Sequence, residues 1–334
     1  MKTTIKDVAK KANVSIATVS RVINKLPGYT TETEKLVLKT IEELGYYPNE
    51  LARSLVGKRI NTVGVLMPNL SSMVATEILK GIEDSAHKNN HSIIICNTDQ
   101  NGIRTMEYLN ILRNKQIDGL LIVSEKLKQK YVDKIKDINI PVVLISTYYN
   151  KSLIYVKVDD EKAAYDATNY LINNGHINIG MIAGTRDDEI AGLPRVNGFL
   201  KALKENNLDI KRDNIVYGDF SFDSGKTCFM RLIKRSPKIT AIFCASDEMA
   251  VGVISAAFEL GIKIPDDLSL IGYDNTKLSL MTNPPLTTIK QSLSEMGYQG
   301  LNMLISKING LEVESKIFQH KIIERSTVKN LKKK

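Results

Sequence analysis

Apolar and polar residues alternate over the first 24 positions with the period of two short helices. The apolar face of the first helix consists of Ile5, Val8, Ala9 and Ala12. Thr4 occupies the predicted N-cap position, and Asp7 is placed three residues later to complete a capping box. Asn13 interrupts the pattern, and Ser15 is the predicted N-cap of the second helix. The pattern therefore predicts two short helices joined by a tight turn.

The second helix carries a narrow apolar stripe formed by Ile16, Val19 and Ile23. Its other faces bear small or polar side chains and one arginine: Ala17, Thr18, Ser20, Arg21 and Asn24. Such a pair of helices is typical of a helix-turn-helix whose second helix enters the major groove of DNA. An amphipathic helix pair inside an enzyme is the alternative interpretation of this pattern.

The side chains of the second helix differ in what they offer to DNA. Arg21 is the predicted base-reading residue, because a guanidinium can donate two hydrogen bonds to guanine; a phosphate clamp is its alternative role. Ile16 and Ala17 offer only apolar contact, which suits a thymine methyl group or readout of shape. The residues expected to bond phosphates are Ser15, Thr18, Ser20 and Asn24. Thr4 completes the predicted DNA-binding set of the head.

A third helix is predicted to begin at Thr31, whose spacing to Glu34 fits a capping box, and to end at Gly45. Its predicted buried side consists of Leu36, Val37, Thr40, Ile41 and Leu44. Pro48 marks a boundary, so that residues 1–48 form the first predicted domain.

Residues 49–60 are the predicted hinge and linker. Asn49 is placed to cap a segment over 50–56, which is too short to be stable as an isolated helix. The pattern alone leaves open whether the leucines of this segment pack on the rest of the protein or contact DNA.

From Thr62 onward the pattern changes to strands and helices in alternation. Predicted strands cover 62–67, 92–96, 119–123, 141–145, 179–182, 214–217, 241–244 and 268–271. Predicted helices lie near 74–89, 102–115, 126–137, 160–174, 195–207, 223–235 and 247–260, with a last strand and helix near 286–308. Continuous apolar strands separated by helices indicate parallel sheets covered on both faces. The predicted fold is a small all-α head followed by an α/β body, residues 61–330, of two doubly wound parallel-sheet lobes.

Charge is distributed unevenly along the 334 residues. The chain has 46 Lys and Arg against 37 Asp and Glu, a net charge of +9. Residues 1–60 carry +5 and residues 321–334 another +5, which leaves −1 for residues 61–320. A basic head on a nearly neutral body is expected where contact with nucleic acid is confined to the head.

Other classes of protein find little support. The sequence lacks a Walker loop, a GxSxG motif and metal-ligand spacing among its histidines, so neither an enzyme nor a cofactor is expected. Cys96, Cys228 and Cys244 are widely spaced, which indicates free core thiols in a reducing compartment. A polar N-terminus and no apolar run of bilayer length predict a cytoplasmic, nucleoid-associated protein with no membrane partner. A free-standing sugar-binding protein is the remote alternative, which leaves the basic head unexplained.

The string DVAKKANVSIATVSRVIN resembles the DNA-reading signature of the lactose-repressor and galactose-repressor family of bacterial transcription regulators. The similarity continues through GYYPNELARSL and, more loosely, to about residue 327. It implies that the segment 50–56 folds when two copies meet on operator DNA. Asn49 and Ala52 would then contact the DNA, and Leu55 lies at the position of the family's wedge leucine.

The resemblance also implies a body of the periplasmic-binding-protein type. Its first lobe would combine about 61–160 with 290–320, and its second lobe about 161–289 with 321–330. The strand and helix near 286–308 would return the chain to the first lobe. The family further implies a homodimer on a pseudo-palindromic operator. We therefore predict a ligand-controlled DNA-binding regulator, expected to repress carbohydrate or catabolic genes.

Ligands of such folds sit between the lobes, at the carboxyl ends of the strands. The predicted effector-binding residues are Ser72, Asp99, Tyr148, Asp160, Arg195, Asp247, Asp274 and Gln291. Those that match the family's motifs are Arg195 of PRVNGF, Asp247 of SDEMA, Asp274 of GYDN and Gln291 of TTIKQ. The family's effectors are mostly sugars or small metabolites, so a sugar or sugar phosphate is expected. A structural role as helix cap, loop anchor or interlobe tie is the alternative for each residue.

Two departures from the family pattern bear on the ligand. Many relatives carry aromatic residues where this chain has Val74 and Ala75, and Tyr148 or Tyr149 is the predicted substitute.

The body is most similar to catabolite-control regulators, whose corepressor is a serine-phosphorylated phosphocarrier protein. The matching partner-binding positions in this chain are Ser294, Glu295, Asn302 and Ser306. None is a cation that would pair with phosphoserine, so this partner is disfavoured, although Lys307 lies nearby.

Overall fold

The computed structural model describes residues 3–23, 25–46, 59–99, 102–150, 152–209 and 211–332. The chain divides into two compact units, a head (Met1–Ile60) and a body (Asn61–Lys334). Four residues of the predicted DNA-binding set lie outside the described residues: Asn24, Asn49, Ala52 and Leu55.

The described residues of the head form three helices, α1 (Ile5–Lys11), α2 (Ile16–Ile23) and α3 (Thr31–Glu43). Their shared core consists of Val8, Ala9, Ala12, Val19, Val22 and Val37. An ion pair of 2.8 Å between Lys11 and Glu43 joins α1 to α3 at the surface. The predicted helix-turn-helix is thus present, closed by the third helix.

Helix starts in the head follow local hydrogen bonding. The Asp7 carboxylate accepts hydrogen bonds from the Thr4 amide (2.8 Å) and the Thr4 hydroxyl (2.7 Å), as the predicted capping acid should. Helix α3 begins at Thr31 as predicted, but the predicted capping pair of Thr31 and Glu34 is displaced by one residue. Its N-cap is Thr30, whose hydroxyl accepts a hydrogen bond from the Thr33 amide at 3.3 Å, so Thr31 is already helical.

The predicted buried faces of α2 and α3 each include one residue that is exposed. Ile16 is 45% exposed and Leu36 is 48% exposed. The buried residues of α2 are Val19 and Val22, and Ile16 lies about 90° around the helix from the centre of that face. Leu36 is displaced by a similar angle from the face of α3 centred near Val37. Ile16 and Leu36 lie outside the core because only a narrow face of each short helix is buried against the other two.

The body contains two six-stranded sheets. Across the first sheet the strands run β11 (Lys316–Phe318), β5 (Ile154–Val158), β4 (Val142–Ile145), β3 (Gly119–Val123), β1 (Thr62–Met67) and β2 (Ser92–Asn97). Across the second they run β12 (Lys321–Ile323), β10 (Thr287–Lys290), β9 (Ser269–Asp274), β8 (Ala241–Cys244), β6 (Ile179–Ala183) and β7 (Ile215–Tyr217). All pairings are parallel except that of β12 with β10. We call the parts of the body around these sheets lobe 1 and lobe 2.

Helices follow most strands, as parallel sheets require. They are α4 (Met73–Lys88), α5 (Thr105–Asn114), α6 (Gln129–Ile138), α7 (Asp160–Asn173), α8 (Gly192–Glu205), α9 (Phe222–Arg235), α10 (Asp247–Glu259), α11 (Leu278–Met281) and α12 (Leu293–Ile308). The predicted fold class is confirmed.

The last strand and helix of the predicted pattern belong to different lobes. Both were expected to return the chain to the first lobe, but β10 pairs with β9 in the second sheet. Only α12 returns, and it packs against α4 and the strands of lobe 1. The prediction also omitted β5, β11 and β12, which are short strands at one edge of each sheet.

The chain crosses between the lobes three times. The crossings follow β5, β10 and β11, and each is at most two residues long. In the first sheet β11 is the edge strand and β5 lies beside it, and in the second sheet β12 is the edge strand and β10 lies beside it. All three crossings therefore lie along one side of the body, which we call the crossover edge.

Three features expected from composition can be compared with the described part of the chain. Cys96, Cys228 and Cys244 are free and buried, as predicted. No helix there is both long and apolar enough to cross a membrane. The same residues include no group of three or more His, Cys, Asp or Glu placed to hold a metal ion.

Candidate DNA-binding surface and effector site

The outer side of α2 presents the side chains predicted to meet DNA. Those with exposed or half-exposed surface are Ile16, Ala17, Thr18, Ser20 and Arg21. Ser15 caps the helix, because its Oγ accepts a hydrogen bond from the Thr18 amide at 3.0 Å and lies 2.9 Å from Thr18 Oγ1. The helix therefore starts at a fixed point, with Ile16 and Ala17 in its first turn.

The head also carries exposed basic residues. Exposed cations of α1, α2 and the turn after α2 are Lys6, Lys10, Lys11, Arg21 and Lys25. Thr4 is also exposed, although its hydroxyl donates to Asp7 and so supports the start of α1. This charge gives the head the sequence-independent attraction to phosphate on which DNA binding depends.

Five of the eight predicted effector residues are buried in lobe 2 or at its crossover edge. They are Asp160, Arg195, Asp247, Asp274 and Gln291. Asp160 begins α7 directly after the first crossing, and its Oδ1 accepts hydrogen bonds from Arg195 Nε at 3.0 Å and Nη2 at 2.9 Å. The Tyr273 hydroxyl donates to the same oxygen at 3.0 Å. The guanidinium carbon of Arg195 lies 3.7 Å from the centre of the Tyr273 ring.

The remaining carboxylates extend this cluster. Gln291, which follows β10 at the second crossing, donates to Asp274 Oδ1 at 2.7 Å. Asp247, the first residue of α10, accepts from the Thr276 amide at 2.7 Å and from the Thr288 hydroxyl at 2.6 Å. We call the group of Asp160, Arg195, Asp247, Tyr273, Asp274 and Gln291 the lobe 2 network.

Burial and neighbouring charges shift the pKa values of the groups in the network. Burial raises the pKa of Asp274 well above its usual value, opposed by the Arg195 charge and the Gln291 hydrogen bond and reinforced by the Asp247 charge. Burial also raises the pKa of Asp247 to about 6, opposed by its hydrogen bonds from Thr288 and Thr276. Burial opposes the charge of Arg195, but Asp160, Tyr273 and Asp274 together raise its pKa. Arg195 is therefore the cation that Asp160 and Asp274 share in the interior.

The other three predicted residues belong to lobe 1. Ser72 is the N-cap of α4, and its Oγ accepts from the Ala75 amide at 3.1 Å. Asp99 follows β2 with a positive φ of 69°. Tyr148 follows β4 and is 45% exposed. Ser72 is thus held by its cap bond and Asp99 by the turn after β2, whereas the Tyr148 ring is partly exposed.

One lysine joins the two groups. Lys157 of β5 lies 5.1 Å from the centre of the Tyr148 ring and 3.4 Å from Asp160 Oδ2. It therefore links Tyr148 of lobe 1 to the lobe 2 network at the crossover edge. Lys157 was not among the predicted site residues, because β5 was not predicted.

An aromatic side chain near Arg195 was also missed. Phe220 follows β7, and its ring centre lies 5.8 Å from the Arg195 guanidinium carbon. Its φ is +70°, a strained value for a bulky residue, and its carbonyl accepts from Ser246 Oγ at 3.2 Å. A Cβ on Gly184 would overlap the Phe220 ring, so Gly184 makes room for it. Its place just after a strand was the available signal in the sequence.

A helix-turn-helix head joined to a two-lobed body with polar groups at the strand ends defines the class of ligand-responsive DNA-binding regulators. Residues 4–49 match the family described as "Bacterial regulatory proteins, lacI family". Residues 168–328 match the "Periplasmic binding protein-like domain". The chain belongs to the lacI family of bacterial transcription regulators, as its DNA-reading signature predicted.

Similar proteins agree over the whole chain. Catabolite control protein A of Priestia megaterium is 41% identical over 98% of this chain and 100% of its own length. The lac repressor dimer bound to operator and the anti-inducer ONPF has a TM-score of 0.89 at 26% identity, covering 98% and 100% of the two chains. The complex of the regulator CelR with cellobiose has a TM-score of 0.75 at 26% identity, covering 97% and 99%. The protein is thus a DNA-binding transcription regulator with an effector-binding body, and its relatives are regulators rather than enzymes.

Proposed function

We propose that this protein is a homodimeric repressor of carbohydrate or catabolic genes, bound to pseudo-palindromic operators in the bacterial nucleoid. A sugar or sugar phosphate between the lobes sets its affinity for the operator. The observation that carries the proposal is the lobe 2 network, a buried arginine and three carboxylates at the carboxyl ends of strands. Ligand binding changes the angle between the lobes and is transmitted to the heads through residues 49–60. By linkage, the ligand shifts operator affinity only by its differential affinity for the two states.

On the DNA side, Arg21 reads a base and the hydroxyl-bearing residues of α2 hold phosphates. Arg21→Ala is expected to cost about 1–3 kcal/mol on the selected operator and to relax the preference at one base position. The measurement is binding to an operator selected from a random pool and to random duplex. Lys10→Ala is the matched control, because loss of a phosphate contact weakens both duplexes alike. An equal loss on both duplexes for Arg21→Ala would refute base reading.

On the ligand side, Arg195 supplies hydrogen-bond donors at the strand ends. Of its five N–H groups, three bond Asp160 and the Ala245 carbonyl in the described structure, so two can address ligand hydroxyls. Tyr148 and Phe220 supply aromatic faces on the two sides of the network. The cellobiose complex of CelR supports a sugar as the ligand.

Calorimetry of the full chain against sugars and sugar phosphates tests this site. Tyr148→Ala is expected to weaken binding of the active sugar by about two- to tenfold, the worth of a stacked ring. Tyr165→Ala is the control, because Tyr165 contacts Lys201 and Glu205 on the outer face of α7 and α8. Unchanged affinity in Tyr148→Ala, or no sugar binding at all, would refute the ligand assignment.

The second candidate is a serine-phosphorylated phosphocarrier protein as corepressor, favoured by the 41% identity to catabolite control protein A. Two of the corresponding positions are already used within lobe 1. Asn302 Oδ1 accepts from Ser85 Oγ at 3.0 Å and from Asn89 Nδ2 at 3.1 Å. Glu295 accepts from Gln299 at 2.8 Å. We expect no gain in operator affinity when the phosphorylated carrier is added, and a strong gain would replace the sugar.

A further inference from the structure

Two polar contacts join the lobes at the cleft between them. The Met73 amide, the first N–H of α4 in lobe 1, donates to Glu248 Oε1 of α10 in lobe 2 at 3.1 Å. Lys126, which follows β3 in lobe 1, lies 3.0 Å from Glu189, which follows β6 in lobe 2. The first is a charge-assisted bond to a helix N-terminus, where a carboxylate is favoured by the helix dipole.

The first contact is held by fixed neighbours on both sides. Ser72, just before Met73, caps α4 through the Ala75 amide and so leaves the Met73 amide for another acceptor. Asp247, just before Glu248, is fully buried and fixed by hydrogen bonds from β10 and the loop after β9. Each partner of the contact is therefore next to a residue fixed within its own lobe.

The second contact is built in the same way. Glu125, just before Lys126, is buried and accepts hydrogen bonds from the Thr98 and Thr105 hydroxyls. Asp188, just before Glu189, accepts from the Ile190 and Gly192 amides, both at 2.9 Å. In all four cases the preceding residue is tied to its own lobe, which limits the entropy lost when the lobes join.

The two contacts lie far from the crossover edge, so a small rotation of the lobes around that edge separates their partners. They follow β1 and β3 in the first sheet and β6 and β8 in the second, two or three strands away from the strands at the crossover edge. At about 4.8 Å per strand, the separation is about 10–14 Å. A rotation of about 10° around the crossover edge would therefore move the partners apart by about 2 Å, beyond the reach of a hydrogen bond.

We propose that Glu248–Met73 and Lys126–Glu189 are two latches that hold the lobes together and set the equilibrium between closed and open forms of the body. The proposal rests on the proposed ligand site, since it assigns to these residues the regulation of that site. A ligand that favours the closed form needs less differential affinity when the latches contribute to closure. Because all four residues lie outside the lobe 2 network, they tune the response without forming part of that network.

Hydrogen exchange of the full chain, followed by mass spectrometry, tests whether the two latches act on one motion. Lys126→Gln is expected to speed exchange of the Met73 amide by about two- to fivefold, the range of an exposed ion pair, although Lys126 does not touch that amide. Glu248→Gln is expected to speed exchange in residues 186–192 by a similar factor. Each variant thus changes exchange at the opposite latch.

Two further variants exclude local effects. Glu259→Gln removes an exposed ion pair with Lys226 inside lobe 2, and it is expected to leave both segments unchanged. The charge swap Lys126→Glu with Glu189→Lys is expected to return exchange at Met73 to within about twofold of the natural chain, whereas each single change speeds it. If Lys126→Gln leaves the Met73 amide unchanged, or the swap fails to restore protection, the contacts are local and the proposal is wrong.

The ligand experiment separates this proposal from the proposed function. If the latch variants change exchange but no sugar binds the natural chain, the latches stand and the ligand assignment fails. If a sugar binds the natural chain and the Lys126→Gln chain equally, and exchange at Met73 is also equal, the latches fail and the ligand assignment stands.

Discussion

Lobe 1 and lobe 2 share an architecture of parallel strands and covering helices, but they differ in how they hold buried acids. Lobe 2 places Asp160 against the fork of Arg195, with Tyr273 on the same oxygen. Lobe 1 buries Glu125 against the hydroxyls of Thr98 and Thr105. Asp160 is thus paired with a cation, whereas Glu125 is surrounded by neutral donors, as Asp247 of lobe 2 also is.

The difference appears in the direction of the pKa shifts. Burial raises the pKa of Glu125, and the hydrogen bonds from Thr105 and Thr98 only partly oppose that effect. In lobe 2, the acids raise the pKa of Arg195, which makes its charge permanent. A permanent ion pair is costly to break from one side, whereas a hydroxyl-bound acid can give up its charge by taking a proton. The two lobes should therefore respond differently to neutralising substitutions.

Arg195→Leu is expected to give the largest effect, a loss of about 3–5 kcal/mol in the free energy of unfolding. The physical reason is that the buried Asp160 would lose both hydrogen bonds from the guanidinium to its Oδ1 and keep only Lys157, at 3.4 Å from Oδ2, as a cationic neighbour. Urea unfolding of the full chain measures the loss. Asp266→Asn, which removes an exposed pair with Lys329 in the same lobe, should change stability by less than about 1 kcal/mol.

The double variant Arg195→Leu with Asp160→Asn sharpens this test. An asparagine oxygen can still accept the Tyr273 hydroxyl, and the buried carboxylate is removed. Lys157, whose side chain is 11% exposed, loses its partner at Asp160 Oδ2 in exchange. The double variant should therefore recover part of the stability that Arg195→Leu loses. If it is less stable than the single variant, the cost lies in lost packing rather than in the unpaired acid.

Helix packing is the feature in which the lobes agree, and glycines make it possible. A Cβ on Gly81 of α4 would overlap the Ser294 carbonyl of α12 in lobe 1, and a Cβ on Gly198 of α8 would overlap the Glu161 carbonyl of α7 in lobe 2. Gly81→Ala is expected to cost about 1–3 kcal/mol, because the obstacle is backbone that cannot rotate away. Thermal unfolding provides the measurement.

Gly300→Ala is the matched control for Gly81→Ala. Gly300 lies on the same helix pair, but its added Cβ would meet Ile145 Cδ1 at 2.5 Å, the far end of a flexible side chain. We expect a smaller loss than for Gly81→Ala. Equal losses would mean that helix propensity and crowding of side chains, not the close approach of the backbones, decide the cost.

The periodicity of the sequence predicted most of the fold because the lobes are built from long apolar runs. Strands β1, β3 and β8 begin and end where predicted. The strands that escaped prediction lie at the crossover edge, where β5 mixes Lys157 into its apolar run and β11 and β12 have only three residues each. In these strands the apolar pattern is interrupted or the strand is too short to stand out in the sequence. Their structure is instead decided by pairing with segments that are distant along the chain.

The site was harder to predict than the fold. Motifs pointed to Arg195, Asp247, Asp274 and Gln291, but no periodicity shows that Tyr273 shares an oxygen with Arg195. Phe220 and Lys157 were missed for the same reason, since their proximity to Arg195 and Asp160 is set by the tertiary arrangement of strand ends. A local motif identifies a candidate residue, but it does not show which residues lie next to it in the folded protein.

Glu125→Gln is the smallest expected effect and the most direct test of how lobe 1 holds its acid. The raised pKa means that folding favours the protonated carboxyl, so stability of the natural chain falls as pH rises above 4.5, the value of an unperturbed glutamate. Below that pH both folded and unfolded chains are protonated and the penalty vanishes. Glutamine is neutral at every pH and can still bond the two hydroxyls. At pH 8 the free energy of unfolding of the variant should therefore equal that of the natural chain or exceed it by up to about 1 kcal/mol.

The test is the difference in free energy of unfolding between the Glu125→Gln chain and the natural chain, measured at pH 8 and again near pH 4.5. That difference should shrink on acidification, because only the natural chain carries a buried charge to be neutralised. Glu107→Gln on the exposed side of α5 serves as control and should give the same small difference at both pH values. A Glu125→Gln chain that is clearly less stable at pH 8 would mean that the charged carboxylate stabilises lobe 1. The two lobes would then hold their acids by the same principle, with Thr98 and Thr105 in the place of the arginine.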